Sequence, residues 1–235
     1  MSELPESLFL NPVWHSLRGP HRHLAVEGGG DASRYPADVT PFAAIAEPSA
    51  AALRSLREML ASRDPVWIVD AGQPRVPELT VEGSLECLQM ALPGDAVLRA
   101  PAVPAAKIVP LGAVHAGEMV ALTDVAFPGF FRPGTYRMGS YFGVRAADGQ
   151  LIAMAGERLR LEGYPEMSGI CTHPAHRGKG LARQLIAHLA ALHRRQGLAS
   201  WLHVSATNSN AIALYRDIGF ETVRSVMLLR VSRAG

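Results

Sequence analysis

The sequence lacks several features that would place the chain outside ordinary globular proteins. Only Cys87 and Cys171 occur among its 235 residues, which argues against a disulfide-stapled secreted scaffold. No run of about 18 apolar residues is present, so no membrane span is expected. The first residues are acidic and interrupted by Pro5, unlike a secretory signal. These absences predict a cytoplasmic protein that needs no membrane.

Acidic residues are missing from one long segment. Residues 1–166 hold 14 Lys/Arg and 19 Asp/Glu, whereas residues 167–235 hold 9 and 2, and none of the acidic ones lies between Met167 and Arg216. A locally basic field attracts phosphate groups. Aromatic residues do not alternate with these basic ones, so the pattern does not predict nucleic-acid binding.

The first hundred residues carry few signals. A helix is predicted over residues 49–63 with Ser49 as its cap, and a buried strand over residues 66–69. Two histidines, His21 and His23, lie two positions apart without a third ligand nearby, so no metal site is predicted. This half reads as a small α/β unit of unknown role.

Proline and alanine make up most of residues 100–106, which we interpret as a stiff linker. We therefore predict two domains, residues 1–103 and residues 104–235. We expect residues 107–235 to hold a complete fold, with the first unit packed against it.

Regular elements follow in the order β-α-β-β-β-α-β-α-β, which predicts a mixed α+β architecture. An amphipathic helix is predicted over residues 181–196, and a second begins at Asn208 and ends at Gly219. Residues 127–134 contain two prolines and two glycines and cannot be regular. This aromatic loop either forms a pocket wall or packs its phenylalanines into the core.

The strongest chemical signal is a glycine-rich turn between a strand and a helix. In the run Arg177-Gly178-Lys179-Gly180-Leu181-Ala182, the glycines let a ligand approach the backbone, and the first amides of the helix lack intrahelical partners. Arg177, Lys179 and Arg183 add positive charge. This arrangement predicts a pyrophosphate site.

That run resembles the Arg/Gln-x-x-Gly-x-Gly/Ala signature of the GNAT superfamily, the acyl-CoA-dependent N-acetyltransferases. Residues 208–220, Asn-Ser-Asn-Ala-Ile-Ala-Leu-Tyr-Arg-Asp-Ile-Gly-Phe, resemble the second hallmark of that family. The resemblance covers residues 107–231 and extends to glycine N-acyltransferase-like C-terminal domains. It implies a mixed, mostly antiparallel sheet with a splayed central strand pair. It leaves open that the N-terminal half is a divergent second copy.

The resemblance also implies where acetyl-CoA binds, with no metal involved. Pantetheine would pair with the splayed strand, and the pyrophosphate would lie on the amides of the turn. The implied cofactor-binding residues are Ile170, Cys171, Thr172, Arg177, Gly178, Lys179, Gly180, Leu181, Ala182, Asn208, Ala211 and Tyr215.

The implied reaction is direct attack of an amine on the thioester. Tyr215 would protonate the departing thiolate, and a main-chain N–H near Ile170 would bind the oxyanion. Glu166 and Glu157 are the candidate bases, although Glu157 could instead pair with Arg158 or Arg160. His173 and His203 are further candidates. An acyl-cysteine at Cys171 is a conceivable alternative to direct attack.

We therefore expect an acetyltransferase that acts on a primary amine of a small molecule or peptide, as a monomer or homodimer. A non-catalytic acyl-CoA sensor and a two-domain scaffold whose first half binds a partner protein remain the alternatives.

Overall fold

The computed structural model describes residues 5–28, 30–60, 64–72, 75–77, 79–94, 96 and 105–234. Six α-helices and eleven strands are found in these ranges. The helices are α1 (Glu6–Leu10), α2 (Pro12–Arg18), α3 (Ala50–Met59), α4 (Ala116–Ala126), α5 (Leu181–Arg195) and α6 (Ser209–Ile218). The strands are β1 (Val26–Gly28), β2 (Ala32–Arg34), β3 (Ala43–Ile45), β4 (Val66–Val69), β5 (Leu79–Ala91), β6 (Ile108–Leu111), β7 (Tyr141–Arg145), β8 (Leu151–Leu161), β9 (Tyr164–Thr172), β10 (Trp201–Ser205) and β11 (Glu221–Arg233).

Local signals place the helices where the sequence predicts them. The Ser49 hydroxyl accepts a hydrogen bond from the Ala52 amide and caps α3, and the Asn208 side chain accepts one from the Ala211 amide and caps α6. At the end of α6, Gly219 adopts a left-handed conformation with φ of 115°. The element order predicted for the C-terminal half is confirmed.

One eight-stranded sheet dominates the molecule. Its strand order is β4-β11-β5-β10-β9-β8-β7-β6, and every neighbouring pair is antiparallel except β9 and β10. The predicted mixed, mostly antiparallel α+β architecture is confirmed. A separate three-stranded sheet of β1, β2 and β3 lies in the N-terminal half. The described ranges contain no second sheet of the size of the eight-stranded one.

The large sheet corrects the predicted domain division. Strand β5 belongs to the N-terminal half, yet it pairs with β10 on one side and with β11 on the other. Strand β4 extends the same sheet by pairing with β11. Residues 107–235 therefore do not hold a complete fold of their own, because two strands of their sheet come from before residue 92. The predicted boundary and most of the predicted linker, residues 100–104, lie outside the described residues.

Two apolar clusters cover the two faces of the sheet. Helices α5 and α6 pack on one face through Leu185, Leu189 and Ile212, among others. Phe9, Leu17 and Tyr35 from the N-terminal half pack on the other face around Trp201. In the described part of the chain, no helix is long and apolar enough to cross a bilayer.

Candidate active site

Strands β9 and β10 separate soon after they meet. Glu166 and Trp201 are their only paired residues. Both strands continue in the same direction, to Thr172 and Ser205, without further pairing. A bulge in β9 sharpens the divergence, because Ser168 pairs with Gly156 while Cys171 pairs with Met154, which leaves one extra residue on β9. Gly169 lies in this bulge with φ of 62°. The predicted splayed strand pair is therefore present, and it opens a wedge between β9 and β10.

The edge of β9 that faces the wedge presents backbone groups without a strand partner. The His173 amide donates to the carbonyl of Ile152 in β8, at 2.8 Å. Because amides of an extended strand point alternately to its two sides, the N–H groups of Thr172 and Ile170 point toward the wedge. These are the two positions at which pantetheine pairing is predicted.

The glycine-rich turn leads from β9 into α5. Gly178 and Gly180 have φ of 76° and 69°, in the left-handed region that favours glycine. Gly180 is the N-cap of α5, and no side chain caps this end of the helix. Among the described residues, the backbone amides of residues 178–183 have no acceptor. A row of unpaired amides at a helix N-terminus matches the predicted anion site.

Two of the three basic side chains near the turn remain open to solvent. Arg177 is exposed and donates weakly to the Thr172 carbonyl at 3.4 Å, and Lys179 lies 3.5 Å from His176 Nδ1. Arg183, in contrast, pairs with Asp217 of α6. This carboxylate offsets part of the positive charge that the sequence places beside the turn at Arg183.

Tyr215 lies where α6 faces the sheet. It packs in the apolar cluster that contains Leu181, with Ile170 and Ala211 at the margin. Burial raises the pKa of its phenol to about 12, and its hydroxyl has no hydrogen-bond partner in the described chain. A phenol with this pKa stays protonated at neutral pH, which suits the predicted proton donor.

Glu166 is fully buried, and its carboxylate is saturated with donors. Arg158 donates from Nη2 to Oε1 at 2.6 Å and from Nε to Oε2 at 3.0 Å. The His203 ring donates from Nδ1 to Oε1 at 2.8 Å, and the Leu159 amide donates to Oε2 at 3.0 Å. A carboxylate has about four acceptor positions, and all of them are used. The Arg158 charge and these hydrogen bonds hold the pKa of Glu166 far below its usual range, despite the opposing effect of burial.

Glu157 occupies a second buried network. Its Oε1 accepts from His193 Nε2 at 2.9 Å, its Oε2 accepts from the Ser140 amide at 3.2 Å, and Arg160 lies 3.8 Å away. Burial tends to raise the pKa of this carboxyl, but the His193 and Ser140 hydrogen bonds outweigh it, so the pKa is lowered. Of the two pairings expected for Glu157, the one with Arg160 is found, whereas Arg158 pairs with Glu166.

The other predicted reactive groups are His203, His173 and Cys171. Gln89 Nε2 donates to the Phe9 carbonyl and to His203 Nε2, so both ring nitrogens of His203 are in use. His173 Nδ1 accepts from the Ala175 amide. Burial raises the pKa of the Cys171 thiol to about 12, so the nucleophilic thiolate is scarce at neutral pH. No cluster of three or more metal-binding side chains occurs in the ranges the structure describes.

A small cavity of about 60 Å³ adjoins the bulge at Gly169. Its walls are the aromatic loop, the start of β7, the middle of β8 and the bulge itself. They comprise Phe127, Phe130, Phe131, Thr135, Tyr141, Arg158, Ser168 and Gly169. Both alternatives that the sequence leaves open are found, because the loop lines this cavity and its phenylalanines also pack into the core, with Phe131 buried. Sequence reasoning missed Tyr141 and Ser168 as site residues, because neither belongs to a motif.

The N-terminal half holds this loop in place. The Phe130 ring lies between Phe42 and Trp67, with centroid distances of 5.9 and 5.5 Å. The Thr135 hydroxyl donates to the Val39 carbonyl at 2.6 Å, and the Gly134 amide donates to the carbonyl of Asp38 at 2.7 Å. The loop is fixed by contacts nearly a hundred residues away in the sequence.

Comparison with known proteins agrees with this geometry. The FR47-like protein family matches residues 141–228. Streptothricin acetyltransferase of Streptomyces lavendulae is 38% identical over 82 residues. The ribosomal protein bS18-alanine N-acetyltransferase of Escherichia coli (strain K12) is 35% identical over 74 residues. These matches cover 32% and 31% of this chain but only 40% and 49% of the two relatives.

A solved structure matches almost the whole chain. A GNAT-family protein of Novosphingobium aromaticivorans, described as an acetyltransferase, is 36% identical, with a TM-score of 0.83. The alignment covers 97% of this chain and 99% of that one, so it includes the N-terminal half. The chain therefore belongs to the GNAT family of acetyltransferases.

Proposed function

We propose that this protein transfers an acetyl group from acetyl-CoA to a primary amine by direct attack. The observation that carries the proposal is the wedge between β9 and β10, which has unpaired backbone amides at its helix end and a separate cavity at the bulge. A donor and an acceptor can thus reach Gly169 from two sides. The named relatives acetylate streptothricin and an alanine of a ribosomal protein, which supports an amine of a small molecule or peptide as acceptor.

The donor side fits coenzyme A through the backbone. The free amides of residues 178–183 suit a pyrophosphate, with Arg177 and Lys179 adding charge from the solvent side. Gly178 and Gly180 leave the approach open, and Leu181 and Ala182 begin the helix beneath it. The main chain of Ile170, Cys171 and Thr172 would pair with pantetheine, while Asn208, Ala211 and Tyr215 would border it from α6.

Acetyl-CoA supplies a thioester, an acyl group on a good leaving thiol. In this proposal the Ile170 N–H stabilises negative charge on the carbonyl oxygen. The Tyr215 hydroxyl gives its proton to the sulfur as the carbon–sulfur bond breaks and the carbon–nitrogen bond forms. Direct attack is favoured over an acyl-cysteine because the Cys171 thiol is buried and its pKa is raised to about 12.

The amine must also lose a proton. Glu166 has no vacant acceptor position, and Glu157 is only 2% exposed and does not line the cavity. We therefore propose that water in the cavity takes this proton. Glu166 would act as a positioning residue that fixes Arg158, and Glu157 would anchor the backbone at Ser140, in place of the direct base role expected from the sequence.

Release of free thiol from acetyl-CoA, measured with a panel of primary amines, tests the proposal. We expect release that depends on the amine, with the acetylated product identified by mass spectrometry. Binding of coenzyme A without thiol release for any amine would instead support the acyl-CoA sensor. Absence of coenzyme A binding would overturn the assignment of the wedge.

A further inference from the structure

The cavity at the bulge contains a buried hydroxyl without a partner. Tyr141 is 2% exposed and lines the cavity. Among the described residues, no group forms a hydrogen bond with its hydroxyl, which is also shielded from solvent. An unpaired buried hydroxyl costs free energy, so this position is suited to a ligand atom. Burial raises the pKa of the phenol above its usual range, so the hydroxyl can donate a hydrogen bond.

Arg158 also lines this cavity. Its Nε and Nη2 face Glu166, whereas the described residues provide no acceptor for Nη1. The Phe42 ring covers one face of the guanidinium at 4.8 Å, so the group cannot easily turn. A guanidinium has two edges that can each bind a carboxylate, and Glu166 occupies only one of them.

We propose that Tyr141 and Arg158 bind a carboxylate of the acceptor, so that the acceptor is a small amino carboxylate whose amine lies beside Gly169. This inference rests on the proposed function. An ionised oxygen fits better than a neutral carbonyl, because a charge-assisted hydrogen bond to a guanidinium is about twice as strong as a neutral one. The cavity volume of about 60 Å³ and its aromatic walls favour a compact, apolar remainder.

A matched set of acceptors tests the proposal on the full chain. Alanine, alaninamide and ethylamine present the same kind of amine with a carboxylate, a neutral amide or neither. Thiol release at saturating acetyl-CoA should give the highest kcat/KM for alanine. Equal kcat/KM values for alanine and alaninamide would overturn the carboxylate assignment while leaving the proposed acetyl transfer intact.

The Tyr141→Phe variant sharpens the test. Loss of one hydrogen bond to a charged group should raise the KM for alanine about 10-fold or more, while the KM for acetyl-CoA and for ethylamine stays unchanged. Tyr136→Phe is the matched control, because Tyr136 is a tyrosine of the same region that does not line the cavity. An equal loss with all three acceptors would contradict the proposal.

A binding readout keeps the two proposals separable. Calorimetric titration of alanine in the presence of coenzyme A should show binding to the wild type and to Tyr136→Phe, and about 10-fold weaker binding to Tyr141→Phe. If no amine supports thiol release but this pattern appears, acetyl transfer fails and the carboxylate site stands. No binding of alanine to the wild type would overturn the site.

Discussion

The two sides of the active site are built in different ways. On the proposed donor side, the wedge would use residues 170–182 and 208–215, two short segments that would offer mostly backbone groups to coenzyme A. On the acceptor side, the cavity uses side chains of β7, β8, β9 and the aromatic loop, which in turn is held by Phe42 and Trp67 of the N-terminal half. In the proposed function, recognition of the donor is thus local in sequence, and recognition of the acceptor is not.

This difference predicts that single substitutions reduce ligand affinity by different amounts on the two sides. A backbone site depends on conformation and on the absence of side chains, so a single Cβ can abolish it. A side-chain site assembled from distant segments loses affinity in smaller steps, because each contact contributes only part of the binding free energy. The experiments below test this contrast, from the largest expected effect to the smallest.

Gly180→Val should remove coenzyme A binding. Gly180 has φ of 69° at the start of α5, a conformation that a β-branched residue disfavours, and the new side chain would cover the amides. The wild type should show a rise in melting temperature with coenzyme A, and the variant should show none. Gly149→Val is the control, because Gly149 has φ of 91° in the β7–β8 hairpin with open space around it. A normal shift in Gly180→Val would exclude the turn as the phosphate site.

Glu166→Gln should destabilise the fold by about 3–5 kcal/mol, because it leaves the Arg158 cation without its partner. The free energy of unfolding, measured by denaturant titration, checks this value. The folded-state pKa of Glu166 lies below its unfolded value of about 4.5. Its contribution to stability is therefore complete above pH 4.5 and decreases as the pH falls below that value. The wild type should lose stability on acidification more steeply than Glu166→Gln, and parallel pH profiles would contradict the ion pair.

Tyr215→Phe should reduce turnover by about 10- to 1,000-fold. The loss is partial, because a thiolate can leave without protonation. The affinity for coenzyme A should change little, since the ring remains. A folded variant with wild-type turnover would remove Tyr215 from the mechanism.

Thr135→Val should have the smallest effect and should affect only the acceptor. It removes the hydrogen bond from the Thr135 hydroxyl to the Val39 carbonyl, a contribution of about 1 kcal/mol, and the bond that the same hydroxyl accepts from the Arg132 amide within the loop. The aromatic loop should loosen and the KM for the amine should rise by about 5-fold, with the KM for acetyl-CoA unchanged. Thr172→Val makes the same change of side chain on the donor side, and the same two KM values are compared in that variant. An equal change in both KM values for Thr135→Val would mean that the two sides are not separable.

The sequence predicts the elements whose signals are local. The cap at Asn208, the stop at Gly219 and the glycine turn before α5 all depend on neighbouring residues, and these elements are found as predicted. The insertion of β5 between β10 and β11 was not predicted, because strand pairing over such distances leaves no pattern in either segment. The base role expected for Glu166 likewise comes from the family resemblance, which does not show its partners. Its saturation depends on Arg158 and His203, whose proximity only the folded sheet reveals.

The position of β5 also constrains how the protein reaches its native state. Leu79 pairs with Arg233 and Ala91 with Glu221 and Trp201, so β5 joins the sheet through contacts of very long sequence separation. Such contacts form slowly because a large loop must close first. During synthesis β5 cannot pair with β11 until β11, near the end of the sequence, has left the ribosome. We expect that a chain lacking residues 221–233 exposes the unpaired edge of β5, a surface prone to association with other strands.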